Sequence, residues 1–316
     1  MEHIQKIGRI LILIVSISIT LGCNDSPDIT DGMLDGKIIY DPSLDNPEDY
    51  LLSLSNPNPT AEEKSRPVFI VMHGYSASTF EWEEFRTWSE NIPEYAISMV
   101  LLGGHGRTYE DFKRATWKDW QISIKEEYDR LVTLGYTNIN FIGSSTSCTL
   151  IVDMLHSGYF LGKIIPRNIF FVDPIVIPSS KILSLAPLVG PILGYIEADN
   201  TVEEDKYWYH FRPQETLQEL NKLLTTVRKQ LEDGINLPPN CSLKVYKSIK
   251  DPTADPVSSV LLFKGIKNSE GGDIEIEMVD SNLHVFTRLN LRNEISTKDR
   301  ENQLAAFNDF ASKVLN

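Results

Sequence analysis

Residues 138–151 read Asn-Ile-Asn-Phe-Ile-Gly-Ser-Ser-Thr-Ser-Cys-Thr-Leu-Ile. An apolar run of strand length, a Gly/Ser cluster and a second run without breakers predict a buried strand, an abrupt turn and a helix. The turn is Gly143-Ser144-Ser145-Thr146-Ser147. A turn this tight between two apolar elements strains its central residue and needs small residues on either side. Ser145 would then project its hydroxyl above the sheet. The Thr146 N–H, at the helix N-terminus, would point at the same spot. Ser147 is small enough for the turn, at some steric cost. The pentapeptide alone fits two readings equally: a nucleophile held at a helix start, or a Ser/Thr-rich turn that caps a helix.

The chain has 316 residues, 41% hydrophobic and 23% charged. That suffices for a sizeable core, and one α/β domain with an insertion fits, as do two domains. A net charge of -14 argues against nucleic-acid binding, which needs a basic footprint, and against adsorption to anionic lipid through protein charge. Its plain meaning is solubility. Cys23, Cys148 and Cys241 show neither a zinc spacing nor a disulfide framework. Cys148 is expected as a small buried residue. A Cys148–Cys241 bridge stays open, with nothing in the spacing to favour it.

Lys6 and Arg9 precede an apolar run over residues 10–19. A basic start and a short apolar stretch predict a secretory signal peptide over 1–22, too short to span a bilayer. It ends at Thr20-Leu21-Gly22-Cys23, which resembles the lipobox of bacterial lipoproteins. That resemblance implies cleavage before Cys23, lipidation of Cys23 and a membrane-anchored protein of the cell envelope. Thr20 departs from the usual aliphatic residue. The alternative is a plain signal peptide and a secreted or periplasmic protein. Residues 23–66 would hold the lipidated Cys, a tether rich in Asp, Asn, Pro and Ser, and a short strand near 37–40. No internal repeat is visible.

Residues 67–72 predict a buried strand that runs into His73-Gly74-Tyr75. Residues 96–102 predict another, running into Gly103-Gly104-His105-Gly106. Thr116 and Asp119 form a capping box, followed by Trp117, Trp120, Ile124, Tyr128 and Leu131 on one helical face. These tryptophans read as core. Taken in order, the HG-aromatic turn, the GHG turn, the Trp-x-x-Trp helix and the serine turn resemble the α/β-hydrolase superfamily, and within it bacterial carboxylesterases and monoacylglycerol lipases. The resemblance covers residues 67–316. It implies an α/β fold with a mostly parallel central sheet flanked by helices and a helical cap insertion. It also implies Ser145 as nucleophile and the N–H groups of Tyr75 and Thr146 as an oxyanion hole. His73 and His105 would brace loops.

Residues 168–172 predict a strand ending at Asp173, a minor candidate for the triad acid. Strand–helix alternation then lapses over about residues 177–240, where the cap is expected. The apolar stretch 182–196 is broken by Pro187, Gly190, Pro191 and Gly194, which suits a cap better than a membrane span. Residues 205–231 continue the cap, and in them Leu217, Leu220, Leu223, Leu224, Val227 and Leu231 form a helical stripe, packing on the core or lining an acyl pocket. His210 has no evident acid partner. The Lys/Arg content of the cap does not single out an anionic substrate.

Residues 242–249 predict a strand running into Asp251, which matches the family's triad acid. Asp255 is the alternative, better placed as a helix cap. Residues 273–279 predict the last strand, and His284 follows it, where the family has its base. A helix near 297–315 closes the chain. The order Ser145, Asp251, His284 is the hydrolase order. The resemblance thus implies a serine hydrolase of carboxylic esters, acyl-lipid or small acyl, without metal or organic cofactor. Two other readings stay open: a peptidase or amidase with the same triad, and a catalytically weak surface-exposed binding protein, suggested by Ser147, which stands where the family's G-x-S-x-G turn has its second Gly.

Overall fold

Ten strands and eight helices carry the fold of the computed structural model, which describes residues 56–179 and 194–315. The expected signal peptide, Cys23, the strand near 37–40 and most of the stretch 182–196 lie outside the described residues. In chain order the strands are β1 (Val68–Met72), β2 (Ala96–Val100), β3 (Ile139–Ser144), β4 (Asn168–Val172), β5 (Tyr195–Glu197), β6 (Phe211–Pro213), β7 (Ile235–Asn236), β8 (Ser242–Ser248), β9 (Ile266–Lys267) and β10 (Glu275–Val279). The helices are α1 (Ala61–Ser65), α2 (Glu83–Ser89), α3 (Tyr109–Arg114), α4 (Trp117–Leu134), α5 (Thr146–His156), α6 (Gln214–Asp233), α7 (Val257–Gly265) and α8 (Thr297–Leu315).

Six strands form one sheet in the order β10-β8-β4-β3-β1-β2. Every neighbouring pair in it is parallel. A parallel sheet is covered on both faces, so its inner strands are apolar throughout rather than alternating. That is the pattern of β1, β3 and most of β4, whose residues are buried without interruption. Alternate residues serve two cores. Val68, Ile70, Phe141 and Phe171 face a layer that includes Trp120 and Ile124 of α4 and Leu150 of α5. Phe69, Val71, Ile142 and Phe170 face Phe85 of α2 and Phe307 and Phe310 of α8.

The Thr116–Asp119 capping box is present, and Gly135 ends α4 in the left-handed conformation. The helix of the leucine stripe begins at Gln214, directly after β6 and Pro213. Its stripe goes to the core: Leu220, Leu223, Leu224, Val227 and Leu231 all join the larger apolar cluster. What stands over the sheet among the described residues is smaller, an antiparallel β5–β6 hairpin and a short turn at Glu204–Lys206. Cys148 and Cys241 are both buried and free.

Because the strands are parallel, their C-terminal ends share one edge of the sheet. Register aligns Met72 with Gly143, Ser144 with Val172, and Val172 with Tyr246. The loops that follow β1, β3, β4, β8 and β10 therefore converge there. In open α/β sheets this edge is where ligands bind.

Candidate active site

Ser145 joins β3 to α5 at φ 50 and ψ -111. A side chain at positive φ outside glycine costs about 1–3 kcal/mol and persists only where neighbours over-determine it. Here the Ser145 N–H donates to Val172 O at 2.9 Å, and Ile175 N donates to Ser145 O at 3.4 Å. The strained residue is thus tied to the next strand on both sides. Ser147 sits in the turn with helical backbone. It lies in the first turn of α5 and is not among the positive-φ residues. Its hydroxyl accepts from Ser144 N at 2.9 Å and reaches Met72 O at 3.0 Å and Ser144 O at 2.9 Å. The space it needs comes from Gly143, where a Cβ would meet Ser147 Oγ at 2.9 Å.

His284 Nε2 stands 2.9 Å from Ser145 Oγ, and its Nδ1 stands 2.8 Å from Asp251 Oδ2. An ionised carboxylate only accepts, so Nδ1 carries the proton and a neutral imidazole turns its lone pair at Nε2 toward the serine. Asp251 Oδ1 accepts from Thr253 N at 2.8 Å and Ala254 N at 3.0 Å. Burial would push the Asp251 carboxyl up. His284 and Lys247 outweigh it and hold it at about 2. Asp255 is not part of this constellation: its Oδ1 accepts from Val257 N at 2.8 Å, at the start of α7.

Behind the acid lies a group that the sequence reading missed. Lys247 has no exposed side-chain surface, and its ammonium bonds Asp251 Oδ2 and lies 3.3 Å from Asp173 Oδ1. Asp173 does not bond His284. It accepts from Ser248 N at 2.7 Å and Phe286 N at 3.1 Å, fastening the ends of β4 and β8 to the histidine loop. Burial raises its carboxyl, and the Lys247 charge opposes that rise. Asp173, Asp251 and His284 place ligand atoms within 4.8 Å of one another, a spacing that could hold a metal ion. The Lys247 ammonium already supplies the positive charge between the two carboxylates.

The histidine loop is itself strained, with Val285 at φ 52. Arg292 clamps it by donating to the carbonyls of His284 and Val285, and its Nε donates to Arg288 O at 2.7 Å. Burial draws the Arg292 guanidinium down to about 10. Arg288 pairs with Glu204 at 2.6 Å and lies 4.5 Å from the Trp208 ring, which links this loop to the segment over the sheet. His210, given no acid partner in the sequence reading, pairs with Asp205 at 3.0 Å. It does not line the cavity.

Gly74 lies against Ser145: a Cβ there would meet Ser145 Cβ at 3.1 Å. Its N–H donates at 2.8 Å to Glu81 Oε1, which also accepts from the Ser144 hydroxyl. Glu81, also missed, thereby sets the spacing between the loop after β1 and the serine turn. Among the described residues the backbone N–H groups of Tyr75 and Thr146 find no acceptor, and both residues line the same cavity as Ser145 and His284. His73 is buried and neutral, drawn down to about 4 by burial. It donates to Gly74 O at 2.8 Å and accepts from Leu102 N at 3.0 Å, so it braces two loops. His105 is buried, and burial holds it neutral as well. The cavity measures about 860 Å³, with Ile175, Ile196, Leu217 and Leu220 on its apolar side.

No family model matches the chain. It is 24% identical over 220 residues to the thermostable monoacylglycerol lipase of Bacillus sp. (strain H-257), across 69% of this chain and 82% of that one. Its fold is similar to the structure described for the metagenome-derived lipolytic enzymes LipS and LipT, with a TM-score of 0.63 and 17% identity over 83% of this chain and 98% of that one. It is also similar to the monoacylglycerol lipase of Paleococcus ferrophilus, with a TM-score of 0.59 and 14% identity over 78% and 96%. The fold is that of the α/β-hydrolases.

Substitutions at two positions test this construction. Ser147→Ala strips a buried N–H of its acceptor and should cost about 1–3 kcal/mol in urea unfolding. Ser147→Gly should lose stability too, although it restores the commoner pattern; a neutral result for both would show that the hydroxyl bonds contribute nothing. Lys247→Met leaves two buried carboxylates without their cation and should cost about 3–5 kcal/mol. An unfolding free energy equal to wild type would contradict the role given to the ammonium.

Proposed function

We propose that this chain is a serine hydrolase of carboxylic esters, working through Ser145, His284 and Asp251 and an acyl-enzyme intermediate. The observation that carries the proposal is the unbroken relay from Ser145 Oγ to His284 Nε2 at 2.9 Å and from Nδ1 to Asp251 at 2.8 Å, with the serine at a strained helix start. Similarity to monoacylglycerol and other lipolytic enzymes supports the same chemistry.

The serine hydroxyl is a poor nucleophile at its free pKa. As its oxygen bonds the ester carbonyl carbon, Nε2 takes its proton. Asp251, kept ionised, orients the imidazole and stabilises the cation that forms. The carbonyl oxygen becomes an anion facing the N–H groups of Tyr75 and Thr146. Each such donor is worth about 2.7–4 kcal/mol of barrier. The tetrahedral species collapses, the C–O bond to the alcohol breaks, and Nε2 returns its proton to the departing oxygen. Water then repeats the cycle on the acyl-serine, giving up a proton to Nε2 and releasing the acid. The free N–H groups and the seated Ser147 favour this reading over a binding protein without chemistry.

Hydrolysis of p-nitrophenyl esters from acetate to palmitate tests the proposal, with the chain started after Cys23. Activity should peak at one acyl length and fall at least about 10⁴-fold in Ser145→Ala. No turnover of any ester, with no labelling of Ser145 by a fluorophosphonate in folded protein, would sink it. Anilides of the same acids separate an amidase from an esterase.

The N-terminal reading belongs to the same proposal: Cys23 carries a lipid anchor that holds an exported enzyme at the membrane. More than one acyl chain makes such anchoring stable. Cys23→Ser should move the protein from the membrane fraction to the soluble fraction. Unchanged membrane retention would count against the anchor.

A further inference from the structure

Three arginines line the cavity: Arg212, Arg288 and Arg292. They differ in what holds them. Arg288 is paired with Glu204 at 2.6 Å. Arg292 is spent on backbone carbonyls of the histidine loop. Arg212, from β6, forms no ion pair among the described residues, and its Nε is shielded from water with no acceptor. A guanidinium does not deprotonate, so an Nε–H left without an acceptor in a shielded place is costly. Burial draws Arg212 below its ordinary value, in keeping with a charge that lacks compensation.

The surroundings of Arg212 explain why its charge is not neutralised from within. Opposite it in the hairpin is Ile196, which lines the cavity, as do Leu217 and Leu220 of the helix that follows. The Tyr75 phenol is also close, but it is engaged with Thr216 Oγ1 at 2.6 Å, and burial pushes it far above its usual range, so it stays neutral. The carboxylates that line the cavity lie elsewhere. Asp199 and Glu294 are on its exposed rim, Glu204 is taken by Arg288, and Glu81 holds the Gly74 loop. An unpartnered guanidinium in the same cavity as the nucleophile presents a planar fork, which matches a carboxylate or phosphate.

We infer that Arg212 is an anion-binding element of the substrate pocket, and that the preferred substrate is a carboxylic ester carrying a carboxylate or phosphate on one of its arms. This rests on the serine-hydrolase reading and names its substrate class. The charged group docks on Arg212 while the scissile carbonyl sits at Ser145. The anion supplies the acceptor that the fold withholds.

The test compares two matched pairs on the full chain. One pair is mono-p-nitrophenyl adipate and its methyl-capped neutral twin, which places a carboxylate on the acyl arm. The other is 1-decanoylglycerol 3-phosphate and 1-decanoylglycerol, which places a phosphate on the alcohol arm. Wild type should favour the charged member of one pair in kcat/KM, and which pair responds identifies the source of the anion. In Arg212→Met the charged-to-neutral ratio should fall roughly 10–100-fold, as expected for charge-assisted hydrogen bonds. Arg212→Lys, which keeps the charge without the fork, should retain part of it and guards against misfolding of the Met variant. Equal ratios in wild type and Arg212→Met, or preference for the neutral twin in both pairs, would overturn the inference while leaving the triad standing. Loss of all ester turnover and of fluorophosphonate labelling in wild type would instead bring down the serine-hydrolase reading, and this inference with it.

Discussion

An ammonium group with no access to water sits between two carboxylates at the end of the sheet, and the edge that carries the candidate site is built around it. Lys247 comes from β8, Asp173 from the end of β4, and Asp251 from the loop after β8. None of the three could be buried alone, because a desolvated charge without a partner costs several kcal/mol. Together they fasten three loops, since Asp173 also takes the N–H of Phe286 in the histidine loop. The backbone donors at Thr253 and Ala254 complete the Asp251 shell. The result is an acid that stays ionised and cannot drift, which is what the imidazole requires.

The other half of the site is held by a different device. Ser145 and Val285 both stand at positive φ, and each is pinned by bonds to its immediate surroundings. Glu81 sets the distance between the Gly74 loop and the serine turn. Ser145, His284 and the N–H groups of Tyr75 and Thr146 are therefore held in place, and in the proposed reaction little reorganisation would remain.

Much of this was legible in the sequence because it is local. Strands of a parallel sheet are short apolar runs, and the residues that end them, Gly74, Gly143 and Asp251, announce turns. Chain order then singled out Ser145, Asp251 and His284. What escaped was long-range pairing. Lys247 sits in a run that alternates with Ser and Lys and reads as half solvated, and nothing nearby signals a partner 74 residues away. Glu81 opens the stretch 81–90, which reads as a helix, and nothing in it signals a bond to the loops after β1 and β3. Cap lysines and arginines look alike in sequence; it takes the fold to show that Arg212 Nε has no acceptor among the described residues.

Gly143 and Ser147 share a single small volume beside the strained serine. The hydroxyl at one position occupies the space that a methyl would need at the other. What the turn demands is then a limit on the sum of two side chains, and glycine at both ends is only one way to meet it. Patterns that insist on glycine at each position will pass over chains that divide the room unequally. They should be sought by the combined bulk of the pair, with the expectation that when one of the two grows, the other has already shrunk.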